Sequence, residues 1–138
     1  AGPWIGFVAC LLLALPAVAR SVTPWPLVAV LKRELRPEDL LLQRGHYTQV
    51  IPFYARRLTP LSDLPFSELD FGREEARTRG LLLDEPEFAR KWNGPARVLC
   101  VVHYGQLRDF SDPELGLTPM HLLAVSPNGK IYLVANRP

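Results

Sequence analysis

The first nineteen residues of the chain contain no charged side chain, which sets them apart from everything that follows. Residues 4–19 form an apolar run that ends at Arg20. At a rise of 1.5 Å per residue this run would span about 24 Å as a helix, less than the roughly 30 Å hydrocarbon core of a bilayer. We therefore expect residues 1–20 to be the last part of a transmembrane helix and residues 21–138 to be an extramembrane domain.

Two alternatives for the apolar run stay open. Ala17, Val18 and Ala19 resemble the small-residue cleavage site of a signal peptide, although no basic segment precedes the run in this sequence. A buried helix of a soluble fold normally keeps a polar stripe, and this run has none. The pattern favours the membrane helix, and the chain then looks like the tail end of a longer membrane protein.

The rest of the chain alternates between helical and strand patterns. Apolar residues at helical spacing predict a helix over residues 27–35, which Pro37 ends. Three leucines predict a short buried strand over residues 39–43. The run VLCVV predicts a strand over residues 97–102 that is buried on both faces of a sheet.

Weaker patterns complete the predicted domain. Asp84 begins a helix with Pro86 in its first turn and with Phe88 and Trp92 on one face. Four further elements are a helix over 46–57, a strand over 58–61, a helical turn over 74–79 and a short helix over 104–110. Residues 62–83 otherwise give no clear signal.

The end of the chain carries a strong hairpin signal. Asn128 and Gly129 lie between apolar runs at residues 121–125 and 130–135, and Asn-Gly favours the tight turn of a β-hairpin. The alternation of strands and helices before it favours parallel pairing. The sequence therefore predicts an α/β fold, a layered domain with a mixed, mainly parallel sheet that ends in an antiparallel hairpin.

Composition and charge argue against several classes of protein. Hydrophobic residues make up 48% and charged residues 22%, which indicates a folded domain rather than a disordered or polytopic chain. A net charge of +2 is too small for a nucleic-acid footprint, so we expect no nucleic-acid partner. Cys10 and Cys100 form no CxxC motif and the three histidines have no metal-ligand spacing. We expect free thiols, no metal and no cofactor.

A local repeat follows the two buried strands. LLQRGHYTQV at residues 41–50 aligns without gaps with VLCVVHYGQL at residues 98–107. Each set falls where a parallel strand passes into its helix, the edge at which ligands bind in open α/β sheets. If the strands are neighbours, the rings line one crevice; the alternative is that they seal strand ends and cap helices. The predicted ligand-binding residues are His46, Tyr47, Gln49, His103, Tyr104 and Gln106.

Other candidate chemistry is weaker. Ser111 and Asp112 with a histidine supply the residue types of a hydrolase, but the chain has no G-x-S-x-G elbow and Asp112-Pro113 indicates a turn. Four acids in loop and helix-start positions are interpreted as caps and solvated charges rather than as a catalytic carboxylate pair. These acids are Glu68, Asp70, Asp84 and Glu85. We assign no catalytic residue.

Several motifs together carry a family resemblance. They are Arg20-Ser21-Val22 with Pro24, Gly45-His46-Tyr47 with Gln49, Pro52-Phe53-Tyr54 with Arg56-Arg57, Glu68-Leu69-Asp70-Phe71-Gly72, and the Glu87-Phe88 to Trp92 helix before the strand at 98–102. In this order they resemble the polytopic bacterial glycosyltransferases that include aminoarabinose transferase and the protein O-mannosyltransferases. The resemblance is to the C-terminal extramembrane domain of the aminoarabinose transferase branch, and it covers nearly the whole chain.

The resemblance implies a parent enzyme that transfers a sugar from a polyprenyl-phosphate donor to lipid A or a similar acceptor. Its catalytic acid lies in an early loop that has no counterpart here, so the fragment itself is expected to be non-catalytic. The implied partners are the membrane portion of the parent, the polyprenyl-phosphate sugar and the lipid acceptor. The implied location is the bacterial inner membrane, with the domain on the periplasmic side. The alternatives are a non-enzymatic, membrane-tethered binding module and a small secreted protein.

Overall fold

The computed structural model of the chain describes residues 2–22, 24–64 and 72–138. Its strands are β1 Leu40–Arg44, β2 Leu61–Ser62, β3 Leu82–Leu83, β4 Val98–His103, β5 His121–Val125 and β6 Ile131–Ala135. Its helices are α1 Gly2–Val22, α2 Trp25–Glu34, α3 Val50–Ala55, α4 Arg73–Thr78, α5 Glu85–Trp92 and a 3₁₀-helix at Tyr104–Ser111.

Within these residues the six strands form one mixed sheet in the order β3-β2-β1-β4-β6-β5. The pairs among β3, β2, β1 and β4 are parallel, and β6 pairs antiparallel with both β4 and β5. The long register between β1 and β4 runs from Leu40 opposite Val98 to Arg44 opposite Val102. The predicted fold class, a mixed and mainly parallel α/β sheet with an antiparallel end, is confirmed.

Helices cover both faces of the sheet because alternate residues of its central strands are apolar on both sides. On one side, Leu99 and Val101 of β4 pack against the inner residues of α2 and α3; we call this side the α2 face. On the other, Cys100 and Val102 pack against α5 and the 3₁₀-helix; we call this side the α5 face. The aromatic part of the α5-face core consists of Phe88, Trp92 and Phe110.

Helix α5 begins and ends with specific side-chain hydrogen bonds. The Asp84 carboxylate accepts from the Glu87 N–H at 2.8 Å, and the Glu87 carboxylate accepts from the Asp84 N–H at 3.1 Å, which forms a capping box. At the other end, the buried Asn136 amide donates to the Trp92 carbonyl at 2.7 Å. The helix is therefore held at both ends, and its first residue, Glu85, is fixed near the end of β1.

Several predicted elements differ from the observed ones. The helix predicted over 46–57 is the shorter α3, because residues 46–49 form the loop after β1 and Arg56 ends the helix at a φ of 53°. The strand predicted over 58–61 is observed as the shorter β2, which begins three residues later and shares only Leu61 with the predicted range. Strand β3 was not predicted, since two residues are too short to give a periodic signal. The short helix at 104–110 is present as the 3₁₀-helix.

Helix α1 contains the apolar run. Its side chains at positions 6–10 and 12–18 are exposed, with Leu13 at 79% and Phe7 at 60%. In the described part of the chain, no helix is both long enough and apolar enough to cross a membrane. The division into a membrane segment over 1–20 and a domain over 21–138 stays a prediction.

Candidate functional site

The chain leaves the two neighbouring strands β1 and β4 toward opposite faces of the sheet. After β1 it passes to α3 on the α2 face, where Ile51 enters the core. After β4 it passes to the 3₁₀-helix on the α5 face, where Phe110 enters the core. In open α/β sheets the carboxyl ends of strands at such a divergence are the usual position of a ligand-binding crevice, which makes the ends of β1 and β4 the candidate site.

Three of the predicted rings meet in this crevice. His46 follows β1, His103 ends β4, and their ring centroids are 6.0 Å apart. The Tyr104 ring lies 4.4 Å from that of His103 and is 56% exposed. The Nδ1 atom of His103 accepts a 3.4 Å hydrogen bond from the Gly105 N–H, which fixes the imidazole at the start of the 3₁₀-helix.

The structure places Tyr47 and Gln49 elsewhere. Tyr47 lines a separate cavity of about 350 Å³ on the α2 side, together with Pro52, Leu58 and Leu81. Gln49 is exposed before α3, and its side chain makes no capping hydrogen bond within the described residues. In the two halves of the sequence repeat, the strands pair in parallel and the histidines that follow them lie close together. The residues after the histidines are far less alike in position, because α3 and the 3₁₀-helix lie on opposite faces of the sheet.

Gln106 and Gly45 form the base of the crevice. Gly45 is buried with a φ of +78°, a conformation that favours glycine, and a Cβ at this position would overlap the side-chain amide of Gln106. The Oε1 atom of Gln106 is buried and has no hydrogen-bond partner in the described part of the chain. We call the group of Gly45, His46, His103, Tyr104 and Gln106 the β1–β4 crevice.

A buried ion cluster lies directly beneath this crevice, and the sequence analysis did not predict it. The Arg44 side chain is 2% exposed and donates to Asp109 from Nε and Nη2, at 3.0 Å and 2.8 Å. Its Nη2 also donates to Glu85 at 2.9 Å, and its Nη1 donates to the Ser62 hydroxyl at 3.2 Å. Glu85, interpreted from the sequence as a cap or solvated charge, is 44% exposed, but Asp84 rather than Glu85 caps α5, and the pairing of Glu85 with Arg44 was not predicted.

The cluster keeps Arg44 charged in the core. Burial alone would lower the pKa of Arg44, but hydrogen bonds and charges from Glu85 and Asp109 outweigh it and raise the pKa. The guanidinium carbon also lies 4.6 Å from the centre of the Phe88 ring, which adds a cation–π contact. Arg44 therefore joins β1, β2, α5 and the 3₁₀-helix, and its paired charge supports the crevice rather than binding an anion.

The weaker candidates have structural roles or lie outside the described residues. The Asp112 carboxylate accepts from the Glu114 N–H at 2.9 Å, which makes the predicted turn. Glu68 and Asp70 fall within residues 65–71, which the structure does not describe. No group of three or more histidine, cysteine or acidic residues suited to a metal ion occurs within the described ranges. A cavity of about 260 Å³ beside Glu85 is lined by both basic residues, Arg73 and Arg77, and acidic residues.

Comparisons with known proteins agree with the fold. A family model described as the aminoarabinose transferase C-terminal domain matches residues 27–136. The crystal structure of ArnT from Cupriavidus metallidurans bound to undecaprenyl phosphate matches 86% of this chain at a TM-score of 0.68 and 22% identity. Its apo structure matches 82% of this chain at a TM-score of 0.64 and 19% identity. The matched region is 20% of the ArnT chain in both cases. No curated protein sequence matches significantly.

Proposed function

Because the chain belongs to the family of aminoarabinose transferase C-terminal domains, we propose that it is the extramembrane domain of a polytopic glycosyltransferase. The proposed parent transfers a sugar from a polyprenyl-phosphate donor to lipid A or a similar lipid acceptor. The observation that carries the proposal is the family match over residues 27–136, which includes every strand of the described sheet. The chain has about a fifth of the length of ArnT, so activity, substrates and partners are assigned to the parent.

The proposed location is the bacterial inner membrane, with the sheet domain on the periplasmic side. Support comes from α1, whose described apolar side chains are exposed and whose uncharged run ends at Arg20. A helix of this composition is stable in hydrocarbon because its backbone polar groups are paired internally. Residues 1–20 are accordingly proposed as the end of the last membrane helix, and the membrane portion of the parent as the main partner.

The domain is proposed to support the transfer without supplying a catalytic group. A general base must be free to reach the acceptor, and the most buried acids of the described residues are engaged elsewhere. Asp109 binds Arg44, and the Asp39 carboxylate accepts from Arg97 at 2.8 Å. The chain alone, incubated with a labelled polyprenyl-phosphate sugar and acceptor, is expected to give no transfer. Transfer by the isolated chain would contradict this assignment.

A second candidate function is a non-enzymatic binding module that holds a polar ligand in the β1–β4 crevice. The approach of His46 and His103, with the Tyr104 ring beside His103, favours it. The test is the Kd of the chain for a labelled polyprenyl-phosphate sugar before and after Tyr104→Phe, which keeps the ring and removes one hydroxyl. Loss of one hydrogen bond to a ligand is expected to raise the Kd about 2- to 12-fold. An unchanged Kd for this variant and for His46→Ala would exclude binding of this ligand here.

A further inference from the structure

Three aromatic rings from α2 and α3 contact one another, and two of them are exposed. The Trp25 and Tyr54 ring centroids are 5.3 Å apart at 73°, and those of Phe53 and Tyr54 are 5.2 Å apart at 84°. Trp25 is 51% exposed and Phe53 is 75% exposed. We call these three residues the aromatic cluster.

Two members of the aromatic cluster, Trp25 and Phe53, are largely exposed, whereas Tyr54 is half-buried and packs against the core. Helix α2 already packs on the sheet through Leu27, Val28 and Leu31, which are buried, whereas Trp25 lies outside this stripe. Large aromatic side chains contribute most when they are covered, since each removes 150–250 Å² from water. Because Trp25 and Phe53 are largely exposed, we infer that they belong to a surface that is covered by an apolar environment outside the domain.

The position of the aromatic cluster in the chain indicates which phase this is. Helix α1 ends at Val22, three residues before Trp25, and its described apolar side chains are themselves exposed. Trp and Tyr are enriched at the boundary between hydrocarbon and water, where the ring is covered and the polar end stays wet. Trp25 follows the apolar helix in the chain and the Tyr54 ring contacts it, so the pair has the chemistry of the boundary region of the same bilayer.

The charged side chains around the aromatic cluster fit an anionic lipid surface. The Lys32 Nζ atom lies 5.0 Å from the centre of the Tyr54 ring, and Lys32 is exposed. Arg56, which follows α3 directly, is also exposed. Long basic side chains cover apolar surface with their stems and reach phosphate groups with their charged ends.

We propose that the aromatic cluster is a membrane-contact surface. Trp25 and Phe53 lie at the boundary of the bilayer that holds α1, and Lys32 and Arg56 bind phospholipid phosphates. The sheet is thereby held with its α2 face toward the membrane, which leaves the α5 face toward solvent. This inference rests on the proposed membrane segment at residues 1–20, and it adds an orientation of the domain that the family membership does not give.

The test places a fluorescent probe at one residue of the chain reconstituted in vesicles of phosphatidylethanolamine and phosphatidylglycerol. Cys10→Ser removes the exposed thiol, and Cys100 is buried. Phe53→Cys then carries the probe on the aromatic cluster. Glu114→Cys carries the matched control probe on an exposed loop of the α5 side. Lipids with brominated chains are expected to quench the probe at 53 and to leave the probe at 114 unchanged. Equal quenching at both positions, or none at 53, would overturn the proposal.

A second arm tests the lipid phosphates. Lys32→Gln and Arg56→Gln are each expected to lower the equilibrium constant for contact with phosphatidylglycerol vesicles about fivefold, the effect of one cation near an anionic membrane. The exposed Lys130→Gln, at the hairpin turn, is the matched control and is expected to have no effect. Equal effects of all three variants would contradict the assignment of Lys32 and Arg56.

The same probe at position 53 in the parent enzyme separates the lipid surface from a protein partner. Quenching by brominated lipids is the expected result. A probe that is shielded from water but not quenched would mean that the parent's membrane portion covers the cluster, and this would overturn the proposal. Sugar transfer measured on the same vesicles distinguishes failure of the membrane-contact proposal from failure of the proposed function. Transfer with an unquenched probe rejects only the membrane contact, whereas a quenched probe without transfer counts only against the proposed function.

Discussion

Arg44 and Asp109 are 65 residues apart in the chain, yet Nε and Nη2 of Arg44 both donate to the same Asp109 oxygen, at 3.0 Å and 2.8 Å. Arg44 is the last residue of β1, and Asp109 lies in the 3₁₀-helix that follows β4. The pair therefore connects the two segments that diverge around the β1–β4 crevice. Its burial makes it a determinant of stability as well as of the shape of the crevice.

Loss of Asp109 is expected to destabilise the domain more than loss of Glu85. Asp109→Ala leaves the buried Arg44 with one acidic partner, the partly exposed Glu85, and removing one member of a buried pair costs about 3–5 kcal/mol. Glu85→Ala is expected to cost only about 1 kcal/mol, because the side chain of Glu85 is 44% exposed and its charge is screened by water. Urea unfolding followed by circular dichroism measures both values. Equal losses, or a larger loss for Glu85, would contradict the ranking.

Gly45→Ala is expected to destabilise the domain more than Gly80→Ala. Both glycines have left-handed backbones, with φ of +78° and +70°, so each alanine carries the same conformational cost of about 1–2 kcal/mol. Only at Gly45 would the new Cβ also overlap a side chain, that of Gln106. Thermal unfolding of both variants isolates the overlap, and Gly45→Ala combined with Gln106→Ala should recover part of the loss. Identical stability of the two single variants would show that Gln106 does not pack on Gly45.

The two cysteines are expected to differ in reactivity. Burial raises the pKa of the Cys100 thiol from its ordinary 9.0 to about 12, although the charge of Arg44 acts in the opposite direction. As the pH rises, the Cys100 thiol of the unfolded chain loses its proton before that of the folded chain. The neutral, buried thiol is therefore fully compatible with the folded state below pH 9.0, and the free energy of unfolding falls as the pH rises from 9.0 toward about 12. Near pH 8 a thiol reagent should label only Cys10 in the folded chain and both residues in urea. Fast labelling of Cys100 in the folded Cys10→Ser variant would contradict this.

The elements predicted well from sequence are those with an uninterrupted local signal. Strand β4, the first buried strand and the Asn128-Gly129 hairpin each combine an apolar run with a clear boundary. The two-residue β3 has no period to detect, and its pairing with β2 depends on contacts distant in sequence. Local patterns thus predicted the centre and the antiparallel end of the sheet but missed the parallel edge strand at its other end.

The candidate site was predicted only in part, for a physical reason. The repeat placed His46 and His103 at equivalent positions after two strands, and the parallel register of those strands brings the rings together. The repeat does not show toward which face of the sheet each following segment turns. Tyr47 was therefore grouped with His46, His103 and Tyr104, although its side chain lines a different cavity. The Arg44 cluster was missed because its partners are distant in sequence; the one local signal was an arginine at the end of an apolar strand.

The measurement that tests the account most directly is sugar transfer by the full-length parent and by the parent truncated at Arg20, with the same labelled polyprenyl-phosphate donor. Monodispersity of the truncated enzyme in detergent controls for its folding. The account predicts that truncation lowers the turnover by about a hundredfold, the effect of misplacing reacting groups by about 1 Å when a supporting element is lost. Unchanged turnover by a monodisperse truncated parent would contradict the claim that this domain supports the transfer.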